Sequence, residues 1–180
     1  MKPNSLHELY NEQLRDLYDA EQQIMKALPE MIDAASSSNL KSALTDHLKV
    51  TKSQTKRLEQ IFTNLNEKPK GEKCKGMKGV IDEGIDLVDG IKDADVRDAA
   101  IIAAAQRVEH YEMAGYGTAR TYATLLEEDQ AADLLEQTLK EEKEADQRLT
   151  SLADEINGNA AVGSREAVGD VPRDRRKNAA

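Results

Sequence analysis

Arg107-Val108-Glu109-His110-Tyr111-Glu112-Met113-Ala114-Gly115-Tyr116 lies in the middle of a long segment of helical apolar periodicity. Wound as a helix, the segment puts Ile102, Ala105, Glu109, Glu112, Tyr116 and Ala119 on one stripe at alternating spacings of three and four, the stripe that faces a core. Two carboxylates then point inward, one turn apart. An unpaired buried carboxylate either gives up its charge or strongly destabilises the fold, so this pair calls for protons, cationic partners or a metal.

The flanking sequence repeats the pattern. A first helix, capped at Asn4 or Ser5 with Glu8 completing a capping box, is predicted to run to about Ala35 with the stripe Leu6, Tyr10, Leu14, Leu17, Glu21, Ile24, Leu28 and Met31. After the Ser36-Ser37-Ser38-Asn39 turn, a second runs from about Leu40 to Asn66 with Leu40, Leu44, His47, Thr51, Gln54, Leu58, Ile61 and Leu65 inward. The helix carrying the opening stretch spans about Val96 to Leu126, capped by Asp93 or Asp95, and a last one spans about Gln130 to Ile156 with Leu135, Thr138 or Leu139, Glu142, Ala145 or Asp146, Leu149 and Leu152. Each stripe is apolar at its ends and polar in its middle.

Between the second and third long helices, Met77 to about Val88 forms a short amphipathic crossover, which allows those two helices to run parallel. Its apolar face (Val80, Ile81, Ile85, Val88) is expected to be exposed and to serve as a dimer contact. From Asn157 onward Gly, Asn, Pro and charges replace periodic apolar residues. The expected organisation is one domain, 1–156, and a disordered tail, 157–180.

Composition agrees with an all-α chain. Of 180 residues 39% are apolar and only 3% aromatic, with no Trp, in a vocabulary of Ala, Leu, Glu, Lys and Gln. A net charge of −9 argues against nucleic acid held on a broad basic face. One cysteine, Cys74, precludes an internal disulfide, and its position among lysines offers a lowered thiol pKa as one reading. With no secretory pattern and no apolar run of the ~20 residues that span a bilayer, a soluble cytoplasmic protein is expected, without a membrane partner.

The polar midpoints are Glu21, then His47 with Thr51 and Gln54, then Glu109 with Glu112, then Glu142 with Asp146. Hard divalent cations take oxygen ligands, and imidazole adds a nitrogen suited to iron, manganese or zinc. Carboxylate bundles hold paired metals with such a set. His110, next to Glu109, points about 100° away from it and is expected outside the ligand set.

Tyr18-Asp19-Ala20-Glu21-Gln22-Gln23-Ile24, His47-Leu48 with Thr51 and Gln54, Arg57-Leu58-Glu59, Arg97-Asp98-Ala99-Ala100, Val108-Glu109-His110-Tyr111-Glu112 and Glu141-Glu142-Lys143 together resemble the bacterial YciF/YciE family of ferritin-like stress proteins. The likeness covers about residues 5 to 155. It implies a ferritin-like antiparallel four-helix bundle, a homodimer and a dinuclear iron or manganese site at Glu21, His47, Glu109, Glu112 and Glu142. Where the family pattern has an acid three residues after the second-helix histidine, this chain has Val50, leaving Gln54 or Asp146 to substitute.

With iron, such a site is expected to oxidise Fe(II) with dioxygen or peroxide, Tyr116 or Tyr18 supplying an electron or a hydrogen bond. Manganese suits peroxide disproportionation. The alternative is a non-enzymatic dimeric stress protein whose polar layer fixes helix register or binds metal without turnover.

Overall fold

The computed structural model describes residues 2–168, with side chains described through residue 162. Among the described residues all regular structure is helical: α1 (Leu6–Ala34), α2 (Ser38–Asn64), α3 (Lys75–Val88), α4 (Ala94–Leu125) and α5 (Asp129–Val168). None of these helices is long and apolar enough to cross a membrane.

Local chemistry sets the ends. Ser5 Oγ accepts from the Glu8 N–H at 3.1 Å, while the Glu8 carboxylate reaches back to the Asn4 N–H at 2.7 Å, so the capping box closes one residue earlier than its usual form. Ser37 caps α2 through the Leu40 N–H, and Asp93 caps α4 through the Val96 N–H at 3.0 Å. The α4–α5 turn passes through Glu127 in the left-handed region, at φ 60°.

α1 packs against α2 and α4, α5 packs against the same two, and α3 lies on α4 and α1. Paired residues give the directions. Asp46 with Arg148 and Arg57 with Glu141 make α2 and α5 antiparallel, Gln106 with Thr150 and Arg120 with Glu136 do the same for α4 and α5, and Ser36 with Asp98 and Glu21 with Tyr116 for α1 and α4. α1 and α2 form a hairpin. The α3 crossover therefore leaves α2 and α4 parallel, as the length of that connection allows. α1 and α4 approach closely: a Cβ on Gly115 would lie 2.7 Å from Leu17 Cδ2.

The core is two apolar blocks separated along the helices. One contains Ile24, Leu28, Leu40, Leu44, Ile101, Ile102, Leu149 and Ile156, and the other Tyr10, Leu14, Leu17, Leu58, Ile61, Phe62, Tyr116 and Leu135. The polar midpoints of the sequence fall between them.

Two expectations need correction. α5 continues to Val168, beyond the end expected near Ile156; the remaining tail positions, 169–180, lie outside the described residues. Gly158 weakens a helix by only about 1 kcal/mol, which a long helix already nucleated absorbs, and no proline intervenes before Pro172. The crossover face is not free either. Val88 is buried and Val80, Ile81 and Ile85 are half-buried, with Val80 and Ile81 beside Ile24, Leu28 and Ile101, because the face covers the seam between α1 and α4.

Candidate metal centre

Between the apolar blocks lie Glu21 of α1, His47, Thr51 and Gln54 of α2, Glu109 and Glu112 of α4, and Thr138 and Glu142 of α5, all buried. The helical stripes place them there: each is the polar interruption of an otherwise apolar face, and the faces converge. Ligand atoms of His47, Glu109, Glu112 and Glu142 all lie within 4.8 Å of one another. Ligands bonded at ~2.1 Å to one ion lie at most about 4.2 Å apart, so small side-chain adjustments bring this group into one coordination sphere.

Few protein donors reach these carboxyls. Tyr116 donates to Glu21 Oε1, and Gln54 Nε2 donates to Glu142 Oε1 and, at 3.3 Å, to Glu141. Arg57 forks onto Glu141 at 2.6 and 2.7 Å and also donates to Thr138 Oγ1. Still without partners are Glu21 Oε2, Glu109 Oε2, Glu112 Oε1, Glu142 Oε2, Gln54 Oε1 and His47 Nε2. His47 Nε2 stands 3.4 Å from Glu109 Oε1, within ion-pair range but too poorly placed for a hydrogen bond. Buried oxygens are ordinarily satisfied, so this many orphans in one layer fits cations in the space they enclose.

The electrostatics match. Burial, then the charge of Glu142, pushes Glu21 well above the ordinary carboxylate range, against the pull of Tyr116 and Arg57. Burial and neighbouring acids raise Glu109 and Glu112 in the same direction. Glu142 is pushed up to about 7, chiefly by burial, held back by hydrogen bonding from Glu109 and the Gln54 amide. His47 is lowered by burial to about 4 and is a neutral imidazole at pH 7, the form that ligates metals. Burial and mutual repulsion thus favour the protonated forms of Glu21, Glu109 and Glu112 when no cation is present.

The structure brings Glu21, His47, Glu109, Glu112, Glu142 and Gln54 together and leaves other candidates outside. Asp146 accepts from Gln106 at 3.1 Å and stands 3.4 Å from the exposed His110 ring, at the edge of the layer. Thr51 donates to the His47 carbonyl and orients no carboxylate. Tyr18 turns outward to Glu59 at 3.0 Å. Cys74 is fully buried rather than loop-exposed: it caps α3, contacts Tyr111 and Asp16, and burial pushes its thiol up, opposite to the lowered pKa that its lysine neighbours allowed.

Sequence reasoning missed the Arg57–Glu141 clamp. Its signal was present, since Arg57 follows Gln54 by one turn and Glu141 is adjacent to Glu142. A recess of about 250 Å³ between α2 and α5 was also not foreseen; Val50 lies in its wall, and His47 and Glu109 are among the residues lining it.

The sequence pattern described as "Domain of unknown function (DUF892)" matches residues 5–162. The chain belongs to this family. It is 42% identical over 154 residues to Protein YciF of Escherichia coli K12, covering 85% of this chain and 93% of YciF. Among solved structures, the E. coli stress protein YciF superposes with a TM-score of 0.84 at 40% identity, over 87% of this chain and 99% of that one. YcfI of Rhodopseudomonas palustris, described as a candidate structural protein, gives 0.80 at 44% identity over 82% and 94%. A Xanthomonas campestris protein at 19% identity shares the fold with a TM-score of 0.71, over 91% of this chain and 99% of that one.

Proposed function

We propose that this DUF892 chain is a ferritin-like stress-response protein. In this reading α1, α2, α4 and α5 form a four-helix bundle holding two iron or manganese ions, and the centre oxidises Fe(II) or consumes peroxide. The observation that carries the reading is the buried set His47, Glu109, Glu112 and Glu142, mutually within 4.8 Å and rich in unpartnered oxygens. The antiparallel neighbours and the crossover between α2 and α4 support the ferritin-like arrangement. The relationship to the E. coli stress protein supports the physiological setting.

His47, Glu109, Glu112 and Glu142 would hold one ion, and Glu21, facing Glu112 and Glu142, would help to hold a second. The ions would supply redox equivalents and a Lewis acid. The chain's own part is to exclude water with the two apolar blocks, to fix Glu21 through Tyr116, and to fix Glu142 through Gln54. Gln54 Oε1, buried and unpartnered, provides a neutral ligand where Val50 supplies none.

The second reading is a non-catalytic helical protein whose polar layer fixes register, favoured by the structural role attributed to the R. palustris relative. A homodimer, expected from the family resemblance, belongs to both readings and is measured by light scattering. Elemental analysis separates the readings: protein purified from iron- or manganese-replete medium is expected to carry metal that the Glu109→Ala/Glu142→Ala double variant lacks. Equal metal content in both rules out this layer as the site.

A further inference from the structure

The recess beside the layer differs from it in chemistry. Of about 250 Å³, it takes its aliphatic lining from both flanking helices, Ala43, Leu44 and Val50 of α2 and Ala145 and Leu149 of α5, and His47 and Glu109 contribute its buried polar groups. His47 is more than nine-tenths buried, and its Nε2 has no hydrogen-bond partner. A recess with aliphatic lining and a few unpartnered polar atoms is the usual form of a small-molecule site, and this one falls below the range that takes drug-sized ligands.

Size and charge narrow the ligand. The volume corresponds to about eight waters, far more than hydrogen peroxide or dioxygen needs. At the rim Asp46 is paired with Arg148 at 3.2 Å and Lys49 at 2.9 Å, Glu141 is clamped by Arg57, and Glu144 stands 3.9 Å from Lys140, so the mouth concentrates neither sign of charge. A neutral molecule with a short hydrocarbon body and an oxygen-rich end fits all three features.

We propose that this recess binds a short-chain organic hydroperoxide, its alkyl group against Val50, Ala145 and Leu149 and its peroxide end toward His47 and Glu109. The inference rests on the peroxide-consuming reading and names its substrate class. The balanced step is ROOH + 2 Fe(II) + 2 H⁺ → ROH + H₂O + 2 Fe(III). The O–O bond breaks, one oxygen leaves in the alcohol and the other in water, two ferrous ions each give one electron, and the protons come from solvent.

Binding is tested on metal-free protein with tert-butanol, the alcohol product of tert-butyl hydroperoxide, followed by methyl NMR. Saturable shifts confined to the Ala43, Leu44, Val50, Ala145 and Leu149 methyls are expected, with Leu125 unmoved, and they should vanish in folded Val50→Phe and in Ala145→Leu, which fills the recess from α5. In anaerobic Fe(II)-loaded protein, the ratio of second-order rate constants for single-turnover ferrous oxidation by tert-butyl hydroperoxide over hydrogen peroxide should fall at least about tenfold in either variant, the scale set by lost apolar pocket contacts. No saturable shift in the parent protein, or an unchanged ratio in both folded variants, overturns the proposal. Saturable shifts in a protein that consumes neither peroxide establish the recess as a binding site and reject the peroxide chemistry instead.

Discussion

The Tyr116 hydroxyl donates to Glu21 Oε1 across the α4–α1 seam, and both side chains are fully buried. The other Glu21 oxygen has no partner. Tyr116→Phe leaves the carboxyl with neither oxygen satisfied, and is expected to destabilise metal-free protein by about 1–3 kcal/mol in urea unfolding. An unchanged midpoint would show that the hydroxyl does not hold Glu21.

Glu112 is buried among three other acids of the layer, and its Oε1 is unpartnered. Replacing such a group with an apolar residue of similar volume removes a desolvation penalty. Glu112→Met is therefore expected to stabilise chelator-treated protein at alkaline pH by about 1–4 kcal/mol while lowering metal content. A loss of stability in that variant would mean that the carboxyl is satisfied by the protein itself.

Protonation ties the layer to pH. Glu21, Glu109 and Glu112 are raised well above 4.5 and Glu142 is raised to about 7, so the folded state keeps protons that the unfolded chain releases above 4.5. Stability then falls as pH climbs from 4.5, over a window that for Glu142 closes near 7. His47, lowered from 6.5 to about 4, acts oppositely and adds stability as pH rises across that interval, but one imidazole opposes four carboxyls. Metal-free protein is expected to melt lower at about pH 8 than at about pH 5, and saturating Mn(II) should abolish the difference while releasing protons measurable by pH-stat. A melting temperature that rises with pH in metal-free protein would contradict the protonated layer.

Asp98, at the start of α4, accepts from the Ser36 and Ser37 N–H groups at 2.7 and 2.6 Å and so ties that helix to the α1–α2 turn. Arg97 beside it donates to the Ala34 carbonyl at 2.9 Å. Asp98→Ala strands two amide donors and is expected to lower stability by about 3 kcal/mol, with Asp98→Asn, which keeps one acceptor, falling between. Identical denaturation curves for Asp98→Ala and the parent would remove Asp98 from this role.

Much of this was legible in the chain because helical period translates spacing into direction. Glu21, His47, Gln54, Glu109, Glu112 and Glu142 each interrupt an apolar stripe, and a residue on such a stripe has nowhere to point but inward. The short turns after α1 and α4 and the long connection through α3 fixed which helices could be antiparallel neighbours. Asp146 also lies on the α5 stripe, one turn from Glu142, and spacing alone did not distinguish it; the presence of Gln106 and His110 on the facing helix did. Cys74 was misread for a related reason: its lysine neighbours in sequence point away, while Tyr111 and Asp16, remote in sequence, enclose the sulfur.

The sequence by itself determined an all-helical chain, the approximate span of each helix apart from the C-terminal end of α5, and the depth at which acids collect, because periodicity and capping are local and act within a few residues. Only the tertiary structure decided which of those acids converge, which are diverted to Tyr116, Arg57 or Gln106, and that an apolar recess opens beside His47. Those outcomes depend on the rotation and separation of neighbouring helices, and these are set by packing over the whole interface rather than by any one residue's place in the chain.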